Sequence, residues 1–165
     1  MPVSNLTKGD LAPDFTVDST MGEFHLYDEL NERPILLLFY MGDFGTMCSW
    51  VLLRFKELLP EIEALGVRLL AINTNKVQMH YRFRGKIDLP FHLLSDVDGS
   101  VSKAYGTLIE EEGVWQGFSG RGVFLIDTDR RVVYQWVPEN PTQEPKYERV
   151  MEELRSFAQC LRSSI

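Results

Sequence analysis

The chain has little cysteine, little histidine and no surplus of positive charge. Only two of its 165 residues are cysteines, Cys48 and Cys160, and three are histidines. Two thiols are too few for a disulfide-stapled scaffold. His25, His80 and His92 show no metal-ligand spacing and no Cys-x-x-Cys accompanies them, so no zinc site is expected. The 17 basic and 24 acidic residues leave a net charge of −7. With no basic excess to neutralise phosphates, nucleic acid and anionic membrane are poor partners. No apolar run approaches the ~20 residues of a membrane span, and MPVSNLTKGDLAPDF lacks the apolar centre of a signal peptide. A cytoplasmic, reducing location is the expectation. Gly-x-Gly-x-x-Gly and P-loop patterns are absent, which leaves nucleotide and flavin cofactors without support. Asp96-Val97-Asp98-Gly99 has two positions of a calcium loop but not the rest, so turn and helix-cap duty is expected of it. Glu110, Glu111 and Glu112 are expected in a solvated loop.

What is present reads as one α/β domain over residues 1–165. GDLAPDFTVDSTMGEFHLYDEL alternates β-prone runs with turn residues, as a hairpin leading into a short helical turn. PILLLFY and VRLLAIN are apolar runs of buried strands. Between them Trp50, Leu53, Leu58, Ile62 and Leu65 suit a helix, ending near Gly66 and kinked or broken at Pro60. Helical segments are expected around 76–86 and 100–106, flanking LPFHLLSDVDG as a connection. GVFLID and RVVYQWV, separated by a short turn, predict an antiparallel hairpin. The tail from Pro145 to Ser163 has Val150, Leu154, Phe157 and Leu161 on one face of a final helix.

The most informative stretch is FYMGDFGTMCSW, because it puts a cysteine where a strand ends and a helix begins. Such a junction offers free N–H groups and the positive end of the helix dipole. A thiol there is easily made into a thiolate, although free cysteine is also among the most often buried and inert residues. Tyr40, Phe44, Trp50, Trp115 and Trp136 are expected to pack, with Tyr40 and Trp50 as alternative walls of a pocket around Cys48. Cys160 falls on the flank of the last helix, suited to an accessible thiol; a bland surface cysteine is the first assignment and a resolving role the second.

Four stretches taken together resemble the alkyl hydroperoxide reductase and thiol-specific antioxidant family, the peroxiredoxins. These are GDLAPDF, FYMGDFGTMC, LPFHLLSDVDGSVSKAYG and GRGVFLIDTDRRV, in the family's order from about Gly9 to Val137. The resemblance implies a thioredoxin-like three-layer sandwich, a central mixed β-sheet flanked by helices, with an N-terminal β-hairpin extension. It also implies a thiol peroxidase acting through a cysteine sulfenic acid, with no cofactor. A small peroxide would be the substrate, thioredoxin or another thiol the reductant, and a homodimer the assembly. Cys48 is then the attacking thiolate and Arg121 the cation beside it. The frame departs from the family's Pro-x-x-x-Thr-x-x-Cys at Met41 and Gly45, and Thr46 brings a hydroxyl one position late. A second family frame, Phe-Tyr-x-Gly-x-Trp-Cys-x-x-Cys, differs by Gly45 at its first cysteine. Loss of the threonine hydroxyl implies a weaker peroxidase, or a redox sensor or binding module on the same fold. A thiol–disulfide oxidoreductase is disfavoured, because Cys48 has no partner cysteine three residues away and the proline of that fold's reductases is missing.

Overall fold

The computed structural model describes residues 6–140 and 143–163, with the main chain alone at Thr46, Met47, Cys48 and Ser163. Seven strands form one mixed sheet in the order β2-β1-β5-β4-β3-β6-β7. The hairpin β1 (Thr16–Ser19) and β2 (Phe24–His25) sits at one edge, followed in sequence by α1 (Leu26–Leu30). At the centre β3 (Ile35–Phe39) runs parallel to β4 (Arg68–Asn73) and antiparallel to β6 (Gly122–Ile126). The strand β7 (Val132–Trp136) closes the other edge against β6. The expected hairpins and apolar strands are all found.

The apolar run of β3 is buried along its whole length because both faces are covered. Leu36, Leu38 and Tyr40 face one core, shared with Val51, Leu52 and Phe55 of α2 (Thr46–Ala64) and with Val150, Met151 and Leu154 of α5 (Tyr147–Ser163). Ile35, Leu37 and Phe39 face the other, with Leu26 and Leu30 of α1 and with Val101 of α4 (Ser100–Ala104). Strand alternation thus makes the three layers of the expected sandwich. Phe83 of α3 (Val77–Lys86) joins the first core.

Several expectations change. LPFHLLSDVDG is more than a connection, because Leu93–Ser95 form β5, paired to β4 and to β1. Three residues are too short a run to show periodicity. Of the kink or break expected at Pro60 the break is absent, because α2 runs through it as one element. Pro60 is exposed, so water can serve the carbonyl that lacks its N–H partner. The buried stripe of α2 is Val51, Leu52, Phe55, Leu59 and Ile62, which leaves Trp50 62% exposed and not in the core. Finally, Leu161 is exposed, since the last turn of α5 runs past the core, and Trp115 is also exposed.

Asp96 performs the cap duty expected of it. Its carboxylate accepts from the N–H groups of Val101 and Ser102 and from the Ser102 hydroxyl. Burial pushes its carboxyl up, against those three donors. Asp96→Ala strands the three donors in the interior and is expected to cost about 2–4 kcal/mol. Urea denaturation followed by circular dichroism measures this as a lower midpoint at unchanged slope.

Candidate active site

The site begins with sheet register. Phe39 pairs with Gly122 at the end of the antiparallel β3–β6 ladder. One step further, Tyr40 and Arg121 come side by side on the face that α2 covers. Gly122 permits this, because a Cβ there would lie 2.9 Å from the Thr107 methyl. Arg121 is only 3% exposed. Its guanidinium donates to the carbonyl of Gln143 at 3.2 Å. Burial pushes the phenol of neighbouring Tyr147 up to about 12, with the charges of Arg121 and Arg54 pulling the other way. Sequence reasoning missed this lead-in to α5 as a wall of the site, since nothing in Gln143, Pro145 or Tyr147 signals chemistry.

Tyr40, Val51, Leu52, Phe55, Arg121 and Pro145 enclose a crevice of about 10 Å³, room for about one water molecule. Two larger grooves lie elsewhere, beside the start of α3, and neither is lined by any residue between 39 and 52. Of these three, the small crevice is the one that joins Arg121 to α2, and it is the candidate site.

Cys48 is the third residue of α2, one turn ahead of Val51 and Leu52. Gly45 is the N-cap, with no side-chain cap, and the first turn carries no acidic residue. The N–H groups of the first turn and the positive helix end are therefore not offset by a local carboxylate. Of the other residues singled out from sequence, Met41 is half-buried against the core, and Trp50 stands outside it on the surface of α2. The roles assigned to the Thr46 and Cys48 side chains fall outside the described residues.

The β3–α2 loop is fixed by residues that sequence spacing did not single out as a group. The Asp43 side chain is fully buried, as is that of His80 on α3. Asp43 accepts from the Tyr40 hydroxyl at 2.5 Å, from His80 Nδ1 at 2.7 Å and from Asn73 Nδ2 at 3.3 Å. Its own N–H donates to Asn75 Oδ1 at 2.8 Å. The next residue, Phe44, has a φ of 65°, a left-handed conformation that costs a non-glycine residue about 1–2 kcal/mol. Its ring is held over Phe83 at 5.2 Å, with Lys86 Nζ 5.9 Å from the centroid.

Cys160 lies exposed on α5. The helices α2 and α5 run in the same direction, with Tyr147 against Phe55 and Arg155 paired to Glu61 at 2.6 Å. From these contacts Cys48 lies back toward the start of α2, while Cys160 lies beyond the far end. At 1.5 Å per residue the two main-chain positions are roughly 30 Å apart. A disulfide needs Cα atoms within about 7 Å, so Cys160 is not placed to resolve Cys48 within one chain.

Comparison with known proteins agrees with this architecture. A Coxiella burnetii protein that carries the name peroxiredoxin bcp is 32% identical over 130 residues, 78% of this chain and 86% of its own. Among solved structures, a peroxiredoxin 6 of Arenicola marina superposes with a TM-score of 0.85 at 20% identity, over 93% of this chain and 74% of its own. Xylella fastidiosa PrxQ gives 0.82 at 25% identity, over 94% and 99%. The AhpC/TSA family model matches residues 8–135, and the chain belongs to that family.

Proposed function

We propose that the chain is a thiol-dependent peroxidase with Cys48 as its nucleophile and Arg121 as the cation beside it. The observation that carries this reading is the convergence of a helix start bearing Cys48 with a buried arginine at a one-water crevice. Membership of the peroxiredoxin family supports it.

In this reaction the Cys48 thiolate attacks one oxygen of a hydroperoxide. An S–O bond forms, the O–O bond breaks, and sulfur is oxidised by two electrons. The departing oxygen takes up a proton and leaves as water or an alcohol. Charge shifts from sulfur to the leaving oxygen, so a planar guanidinium can serve both. The first-turn N–H groups hold down the thiol pKa before attack. Hydrogen peroxide or a small alkyl hydroperoxide is the substrate proposed, with room for about one oxygen atom in the crevice beside Arg121. The resulting sulfenic acid condenses with an external thiol, releasing water, and a second thiol frees Cys48 as the disulfide of the reductant. Thioredoxin or another small dithiol suits that step, in a reducing compartment such as the cytoplasm. A homodimer is the assembly proposed. Among the described residues no helix is long and apolar enough to cross a membrane.

A second reading, a redox sensor with slow turnover, rests on Met41 and Gly45. A hydroxyl missing at position 45 removes a peroxide-orienting hydrogen bond, worth about 1–3 kcal/mol, or roughly tenfold to a hundredfold in rate.

Rapid mixing of reduced protein with one equivalent of hydrogen peroxide decides between the readings. Fast oxidation of Cys48, trapped by dimedone and lost in Cys48→Ser, is the result expected of a peroxidase. Oxidation at the speed of an ordinary free thiol would leave the sensor reading. Arg121→Gln is expected to slow oxidation by about tenfold to a thousandfold. Gly45→Thr should raise the rate about tenfold, because the main chain there, at φ −73° and ψ 134°, accepts any residue. Cys160→Ser should leave the oxidation rate unchanged, and mass spectrometry of the oxidised monomer should show no Cys48–Cys160 bridge.

A further inference from the structure

We propose that Asp43 and His80 are positioning residues for the Cys48 thiolate, an inference that rests on the peroxidase reading above. Two charged or polar groups meet at the β3–α2 loop and have no part in the chemistry proposed for Cys48 and Arg121. One is a fully buried carboxylate, the other a fully buried imidazole on a different element. The Asp43 carboxylate gathers donors from three elements: Tyr40 after β3, Asn73 at the end of β4, and His80 in α3.

A carboxylate partner requires His80 Nδ1 to carry the proton. Nε2 is buried with no hydrogen-bond partner among the described residues, so His80 meets Asp43 through Nδ1 alone, with the Tyr40 hydroxyl 3.4 Å from the same nitrogen. The Asp43 N–H is meanwhile anchored on Asn75, whose own N–H returns to Asn73 Oδ1 at 2.9 Å. Side chain and main chain of one residue are therefore fixed at once. Phe44, left-handed, follows directly, then Gly45 as the N-cap of α2. With no side-chain cap at Gly45, the direction in which the chain enters α2 is set upstream, at Asp43. The entry direction in turn decides how the first turn of α2, which carries residue 48, stands relative to Arg121 across the crevice.

The test uses two readouts on the full chain. The first is the pH profile of haloacetamide labelling of the Cys48 peptide, read by mass spectrometry, which reports thiolate without peroxide. The second is the rate constant for oxidation by hydrogen peroxide. His80→Leu removes the donor and is expected to move the labelling midpoint up by about one unit and to slow oxidation about tenfold. His80→Asn, whose amide can donate to the same oxygen, should stay within about twofold of the parent. A His80→Leu protein with a lower melting temperature but parental midpoint and rate would overturn the proposal, leaving the pair a packing feature. If His80→Leu does not fold, Asn75→Ala decides by removing the main-chain anchor at a half-buried position. An upward midpoint sustains the proposal and an unchanged one overturns it. A parent protein that reacts slowly with peroxide counts against the peroxidase reading alone, since the labelling profile still reports the positioning of Cys48.

Discussion

The antiparallel register of β3 against β6 is the constraint on which the rest of the site depends. It pairs Phe39 with Gly122 and so brings Tyr40 and Arg121 together at the end of the ladder. Side-chain direction alternates along a strand, so a slip of one residue would carry Arg121 to the opposite face. The register is strongly specified because both strands are buried throughout and face two different cores. Leu38 and Val123 belong to one core, Leu37 and Phe124 to the other, and exchanging them would put side chains of different shape into close-packed layers. The sheet fixes the main chain at Arg121 with hydrophobic energy, and the guanidinium is held in turn by the carbonyl of Gln143.

Tyr40 links the two polar halves of the site. Its ring helps enclose the crevice at Arg121, while its hydroxyl reaches the carboxylate of Asp43. A buried arginine and a buried aspartate are each expensive to desolvate, and charges in such surroundings are screened weakly. Asp43 is satisfied by oriented donors from Tyr40, Asn73 and His80, so its carboxylate is engaged within its own network. The geometry therefore separates two jobs. One buried charge is tied to the β3–α2 loop, and the other stands at the crevice beside α2.

Much of the fold was legible because its strands are long apolar runs and its last helix is strongly amphipathic. PILLLFY could only be a buried strand, and the hairpins announced themselves through turn residues. Position 48 was legible too, as a cysteine at a strand-to-helix junction. What stayed hidden depends on contacts between distant residues. His80 looked like a lone histidine because its partner is 37 residues away in sequence and is reached only by folding α3 against the loop. The phase of α2 was misread for a related reason. Trp50 is the largest apolar residue in its first turns and suggested the inward face, but Val51, Leu52 and Phe55 are what the sheet contacts. The strand β5 is made by its neighbours on both sides, β4 and β1, and three residues carry no pattern of their own.

The direction of the two helices on one face of the sheet constrains how an oxidised Cys48 is restored. Because α2 and α5 run the same way, a residue near the start of the first and one near the end of the second lie at opposite ends of the molecule. Bringing Cys160 to Cys48 would require stripping α5 from the sheet, together with Val150, Met151 and Leu154, which are buried in the first core. Each such side chain contributes roughly 1.5–3 kcal/mol of burial, so the rearrangement costs several kcal/mol before a disulfide forms. Access from outside requires far less. The loop from Met41 to Gly45 is half-exposed or exposed, apart from the buried Asp43 side chain, and Phe44 and Trp50 stand open to solvent beside it. A partner thiol can approach the start of α2 from that side without disturbing either core. On the peroxidase reading proposed above, the fold thus suits a reductant supplied in trans over one built into the same chain.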